Sequence, residues 1–142
     1  ITPRRSGYVF KGWYADKVCT KAWSFASRTI KGDTTIYARW ISTNSYLTTI
    51  RKSAGTWSST YPFKKAGGVM QINVPKSITS VTVHPIKSSS VAKMYMKIDG
   101  GNYYRISKAT IRVKHGSIRK VVVKVVAQSG ATRYYTVKLA RR

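Results

Sequence analysis

The stretch RKVVVKVVAQSGATRYYTVKLA, residues 119–140, decides the fold class. Apolar and polar residues alternate on both sides of the short segment QSGA (128–131), which is the period of β-strands that bury one face. A small polar segment with Gly130 between two alternating runs is typical of a hairpin turn. Residues 119–140 therefore predict a β-hairpin.

The alternation also assigns the two faces of this hairpin, because successive side chains of a strand point to opposite sides of the sheet. The apolar members predict a core face, made of Val121, Val123, Val125, Tyr135, Val137 and Leu139. The other members predict an outer face, made of Lys120, Lys124, Tyr134, Thr136 and Lys138. The outer face is thus strongly basic.

Four further runs have the same character and end at Pro, Gly or Asp-Gly. They are VMQINV (69–74), TSVTVHP (79–85), KMYMKI (93–98) and TIRVK (110–114). The chain is rich in Val, Ile, Thr and Tyr and contains no Glu, a composition that favours strands over helices. Short strands at this spacing predict an antiparallel β-sandwich or barrel.

The charge of the chain is its most unusual property. Its 142 residues include 27 Lys and Arg against three acidic residues, for a formal net charge of +24. Such an imbalance predicts attraction to polyanions. Three scattered acids disfavour carboxylate-pair hydrolysis, and one Cys with two His cannot form a usual zinc or iron–sulfur site. We therefore expect no enzymatic activity, no metal and no cofactor, and, without an apolar run of about 18 residues, no membrane insertion.

The chain divides by composition into two parts. Residues 1–41 hold eight basic and two acidic residues, whereas residues 42–142 hold nineteen basic and one acidic residue. We predict a first unit at 1–41, a polar linker at 42–45 and a second unit at 46–142. The chain begins without Met or a signal peptide, which predicts that it is a fragment of a longer protein.

The first unit contains the segment PRRSGYVFKGWYAD and, further on, GDTTIYARW. These segments resemble the second half of an internalin-type B-repeat, also called the Listeria–Bacteroides repeat. The matching positions are Pro3, Gly7, Tyr8, Phe10, Gly12, Trp13, Tyr14, Asp16, Phe25, Gly32, Asp33, Thr35, Ile36, Tyr37, Ala38, Arg39 and Trp40. The resemblance implies a partial β-grasp-type unit from a bacterial surface protein. Its aromatic residues are either a small core or a surface that stacks on sugars or peptides.

Residues 46–140 resemble the bacterial cadherin-like β-sandwich domain. The closing pattern of that family fits Ala127, Gly130, Thr132, Tyr135 and Val137. The resemblance implies an all-β, antiparallel immunoglobulin- or cadherin-like sandwich without catalytic residues. Its calcium-binding acid pairs are missing here, so the likeness concerns shape.

Lys and Arg on the outward sides of the strands are the candidate binding residues. Arg offers a two-pronged donor and Lys a point charge to sulfate or phosphate groups. The predicted polyanion-binding set is Lys93, Lys97, Arg112, Lys114, Arg119, Lys120, Lys124 and Lys138. The alternative interpretation is a solvated face that keeps the protein soluble by self-repulsion.

These observations predict a non-catalytic adhesion module, secreted and displayed on the bacterial cell surface. The expected partners are an anionic polysaccharide such as a glycosaminoglycan, a cell-wall polymer such as teichoic acid, or an acidic host surface protein. A structural spacer held on the wall by charge is the alternative function. Nucleic-acid binding is a third: Tyr95, Tyr103, Tyr104 and Tyr134 could stack on bases, but no reader motif is present. We expect a monomeric module of a larger chain.

Overall fold

The computed structural model describes residues 2–25 and 32–142 of the chain, so residues 1 and 26–31 of the predicted repeat lie outside the described residues. Every regular element in the described part is a β-strand. The strands are β1 (Tyr8–Tyr14), β2 (Tyr37–Ser42), β3 (Leu47–Lys52), β4 (Thr56–Trp57), β5 (Gly68–Val74), β6 (Ser80–Lys87), β7 (Lys93–Ile98), β8 (Ala109–Arg112), β9 (Ile118–Val126) and β10 (Thr132–Arg141). The all-β prediction is confirmed.

The strands fall into two compact units, residues 1–43 and 44–142. Ser42 closes β2, and Ser42 and Ser45 are both buried. The finer division into a repeat at 1–41, a linker at 42–45 and a cadherin-like domain at 46–142 stays a prediction.

The second unit consists of two sheets. A five-stranded sheet has the order β4-β5-β10-β9-β7, and a three-stranded sheet has the order β3-β6-β8. One apolar cluster takes members from both sheets, including Leu47 and Val81 from the smaller sheet and Ile72, Val123 and Val137 from the larger one. Two sheets that share one core form a β-sandwich, as the sequence predicts.

The predicted hairpin is present as β9 and β10, which pair antiparallel with Tyr135 opposite Val123. Val121, Val123 and Val125 are completely buried, whereas Lys120 is exposed. The core and outer faces that the alternation predicts for these two strands are therefore confirmed.

One strand pair differs from the antiparallel prediction. β10 lies between β9 and β5, and its pairing with β5 is parallel, with Val137 opposite Met70. Just before β5 the chain passes so close to β10 that a Cβ on Gly67 would lie 2.7 Å from the carbonyl oxygen of Tyr134. Gly67 also has a φ of 91°, so glycine suits this position for two independent reasons.

Tyr135 joins the two sheets through its hydroxyl group. The ring is completely buried, and its hydroxyl oxygen accepts a hydrogen bond from the Leu47 amide at 2.9 Å. The same hydroxyl donates to the carbonyl oxygen of Lys65 at 2.5 Å. Burial raises the pKa of Tyr135 above its ordinary value.

The first unit is built on the antiparallel pair of β1 and β2, with an irregularity between Phe10 and Trp13. The Phe10 ring lies 5.4 Å from that of Trp13 and 5.6 Å from that of Trp40. These three rings form a small aromatic cluster, and their separations lie in the range that aromatic pairs prefer. In the following loop, Asp16 accepts hydrogen bonds from the Thr20 hydroxyl and the Thr20 and Lys21 amides, which lower its pKa to about 2.

Candidate functional site

Five lysines lie on the outer side of the five-stranded sheet, and we call this surface the lysine face. Its members are Lys93 and Lys97 of β7, Lys120 and Lys124 of β9, and Lys138 of β10. The register fixes their common side, because residues that pair directly across antiparallel strands point the same way. Lys120 pairs with Lys138, and Lys97 pairs with Val122, which lies between Lys120 and Lys124 on the outward side of β9.

The other three predicted site residues lie elsewhere. Arg112, the last residue of β8, and Lys114, two residues beyond it, are exposed on the side of the three-stranded sheet, so they face away from the lysine face. Arg119 has the core-face parity of Val121, and its guanidinium is engaged within the domain. It forms an ion pair with Asp99 and donates to the carbonyl oxygen of Arg112 at 2.6 Å. The structure thus brings five of the eight predicted residues together.

A groove runs across one end of the lysine face. Lys97, Lys120 and Lys138 line it, Val122 and Thr136 also contribute to its walls, and its volume is about 530 Å³. Three ammonium groups around one depression can bind an anionic group, while Val122 offers a patch of apolar surface beside it.

Asp99 lies at the edge of this groove and is the sole acidic residue of residues 44–142. Its carboxylate accepts hydrogen bonds from the Lys120 amide at 2.9 Å and from the Arg119 guanidinium. The Lys120 amide and, after it, Arg119 lower the pKa of Asp99. The carboxylate is therefore committed to Arg119 and to the backbone rather than to the lysine side chains of the groove.

The ammonium groups of the lysine face have few partners in the chain. Within residues 2–25 and 32–142, no hydrogen bond or ion pair involves the ammonium group of Lys93, Lys120 or Lys138. Lys120 and Lys138 are also directly opposite each other, and like charges at such positions destabilise a sheet. This arrangement costs stability unless an anion neutralises it.

Other cations of this unit have a structural role instead. Arg141 donates to the carbonyl oxygens of Lys76 and Val113, and Lys87 donates to that of Ala92 at 2.6 Å. These side chains close loops against the sandwich. The contrast separates the lysine face from the structural cations of the same domain.

Tyrosines border the lysine face on its β7 side. The Lys97 ammonium nitrogen lies 4.8 Å from the centre of the Tyr103 ring, and that of Lys124 lies 5.2 Å from it. Lys124 also lies 5.6 Å from the centre of the Tyr95 ring. These are cation–π distances, and they hold the two ammonium groups close to the sheet.

The position of Tyr103 is a feature that the strand pattern does not predict. After Asp99 the chain turns back along β7, where Tyr104 exchanges two backbone hydrogen bonds of 2.9 Å with Met96. This isolated bridge places Tyr103 beside Lys97. The Asp-Gly turn indicates a reversal of the chain, but nothing in the local sequence fixes the register of the returning segment.

The first unit contains a separate depression of about 580 Å³, lined in part by Arg5, Tyr8, Phe10 and Trp40. The Arg5 guanidinium carbon lies 4.0 Å from the centre of the Tyr8 ring. The aromatic residues of the B-repeat resemblance therefore contact one another and a cation.

Residues 1–39 match the Listeria-Bacteroides repeat domain. This match confirms the repeat that the sequence predicts in the first unit, and the rest of the chain lies outside it.

Two proteins of Evansella cellulosilytica (strain ATCC 21833) are similar to part of the chain. One, named "Putative Gly-rich membrane protein", is 43% identical over 56 residues, which is 39% of this chain and 6% of the relative. The other, named "Putative membrane protein", is 39% identical over 54 residues, which is 38% of this chain and 8% of the relative. The chain thus spans less than a tenth of the length of either relative.

No helix in residues 2–25 and 32–142 is long and apolar enough to cross a membrane. The same residues contain no group of three or more His, Cys, Asp or Glu side chains that could hold a metal ion.

Proposed function

We propose that this chain is a non-catalytic module of a bacterial surface protein and that residues 44–142 bind an anionic polymer through the lysine face. One observation carries the proposal: five lysines share one face of a sheet, in a domain whose sole acidic side chain is committed to Arg119. The repeat at residues 1–39 and the membrane-protein names of the relatives support a location at the cell surface.

The lysine face acts as one field of positive charge. Neighbouring strands lie about 4.8 Å apart, and residues two apart on one strand are separated by roughly 6.6 Å. Fields from lysines at these separations overlap, because screening at physiological salt acts over about 8 Å. An anionic polymer laid across the face releases its counterions, and this release supplies most of the binding free energy.

The test is the salt dependence of binding to heparin, compared between the parent chain and two charge-reversed variants. The first variant carries Lys120→Glu, Lys124→Glu and Lys138→Glu on the lysine face. In nucleic acids each neutralised phosphate contributes about 0.7–0.9 to the slope of log affinity against log salt, so three lysines supply roughly 2–3. We expect the slope to flatten by that amount and the affinity at low salt to fall steeply.

The second variant is the matched control, with the same change in net charge on the other sheet. It carries Arg51→Glu, Arg112→Glu and Lys114→Glu, three exposed positions of or next to the three-stranded sheet. We expect it to keep most of the parent's slope. Equal losses in both variants would contradict a specific face, and a parent chain that releases heparin below about 0.15 M salt would leave the spacer function in its place.

A further inference from the structure

A row of three side chains crosses the lysine face next to the groove. In this row Tyr95 of β7 pairs with Lys124 of β9, and Lys124 pairs with Tyr134 of β10. The three side chains point outward together because direct partners share a side of the sheet. The row places an aromatic ring on each flank of a cation.

The rings of Tyr95 and Tyr134 differ in their contacts with cations. The Tyr95 ring faces the Lys124 ammonium at 5.6 Å, and Tyr103 beside it faces both Lys124 and Lys97. Tyr134 is 51% exposed, and no cation–π contact of the described residues uses its ring. An exposed aromatic ring is thus available on the lysine face.

The distance between this ring and Lys138 of the groove suits an extended ligand. Tyr134 and Lys138 lie on the same side of β10, four residues or about 13 Å apart along the strand. Thr136 lies between them, and Val122 is its partner on β9. The path from the ring to Lys138 therefore passes over Thr136 and Val122 of the groove, with cations at its side and at its far end.

From this arrangement we infer that the ligand of the lysine face is an acidic polysaccharide, with one sugar ring on Tyr134 and a sulfate or carboxylate group in the groove of Lys97, Lys120 and Lys138. The inference rests on the proposed function and names its ligand class. A pyranose ring presents C–H groups on its flat side, which pack on an aromatic face while the charged substituents project from the edge. Tyr134 and the groove supply these two contacts at separate points.

Other classes of polyanion would make fewer contacts with this face, because they do not match the single available ring of Tyr134. A polyphosphate or a polyol phosphate chain has no ring to place on Tyr134. A single-stranded nucleic acid stacks successive bases on successive aromatic side chains, but ammonium groups lie against Tyr95 and Tyr103 here. One available ring among several cations fits a sugar chain better than a run of bases.

The experiment compares two variants of Tyr134 for binding to three probes: heparin, long-chain inorganic polyphosphate and single-stranded DNA. Tyr134→Thr removes the ring and keeps a residue that strands tolerate well, while Tyr134→Phe keeps the ring. We expect Tyr134→Thr to weaken heparin binding roughly fivefold, the size of one aromatic contact, and to leave polyphosphate binding unchanged. Tyr134→Phe should bind all three probes like the parent chain.

Two results would overturn the inference while leaving the proposed function in place. One is an equal effect of Tyr134→Thr on heparin and polyphosphate, including no effect on either. The other is a larger loss for single-stranded DNA than for heparin, which would make the ring a base platform. A parent chain that binds none of the three probes at physiological salt would instead remove the proposed function itself.

Discussion

Replacing Tyr135 by Phe tests whether the hydroxyl of this buried tyrosine holds the two sheets together. Phe fills the same space but leaves the Leu47 amide without its acceptor and the Lys65 carbonyl without its donor. A buried polar group that loses its partner costs about 1–3 kcal/mol. The Leu47 amide is such a group, whereas Lys65 is an exposed residue whose carbonyl water can reach, so we expect a loss of roughly 1–3 kcal/mol in the free energy of unfolding of the sandwich.

The assay is thermal and denaturant unfolding of the full chain, followed by circular dichroism. In a domain of this size a change of 1 kcal/mol moves the melting temperature by about 4–8 °C, so the expected shift is at least about 4 °C. Tyr134→Phe is the matched control, because it removes the same hydroxyl from the adjacent exposed residue. A loss below about 0.5 kcal/mol for Tyr135→Phe, or equal losses in both variants, would refute the reasoning.

The pH dependence of the same pair of proteins gives an independent check. Burial raises the pKa of Tyr135 above its ordinary value of 10.0, so the folded state favours the protonated form. The contribution of the hydroxyl is therefore complete below pH 10 and is lost as the pH rises through the folded-state pKa. The stability difference between the parent chain and Tyr135→Phe should shrink at strongly alkaline pH, and a difference that grows there would contradict this account.

Three further predictions concern the stability of the fold. Val123→Ala should cost about 1–3 kcal/mol by leaving a core cavity, whereas Lys124→Ala, on the outer side, should stay within about 0.5 kcal/mol in denaturant unfolding. A fragment of residues 46–142 should unfold cooperatively on its own, while a fragment of residues 1–41 that shows dispersed amide resonances and cooperative unfolding would contradict our division of the chain. Because the pKa of Asp99 is lowered in the fold, its contribution is present above its ordinary value of 3.8 and is lost as the pH falls further, so Asp99→Asn should flatten the acid limb of the stability curve.

Alternation alone was sufficient to predict β5 to β10 and the buried side of the β9–β10 hairpin, whereas β1 to β4 were not predicted from it. It predicts the hairpin of β9 and β10 and the complete burial of Val121 and Val123, because a period of two fixes both the strand and its core face. The parallel pairing of β10 with β5 could not be predicted in this way. Its partners are more than sixty residues apart, and the pairing depends on how the sheets pack rather than on any local pattern.

The strand alternation also predicted part of the lysine face. Lys120, Lys124 and Lys138 follow from the strand pattern, since each alternates with buried residues. The engagement of Arg119 by Asp99 and the position of Tyr103 beside Lys97 were not predictable. Both arise from the loop after β7, whose conformation depends on hydrogen bonds to Met96 of β7 and Lys120 of β9 rather than on a local sequence pattern.

The most direct test of the lysine face is a titration of the isotopically labelled chain with a heparin oligosaccharide, followed through the amide resonances. The proposed function predicts that the largest shifts fall on the outward residues of β7, β9 and β10, with Lys97, Lys120, Lys124 and Lys138 among them. It also predicts small shifts at Arg112, at the end of β8. Shifts concentrated on β8 and its neighbours, or spread evenly over every exposed lysine and arginine of the chain, would contradict it.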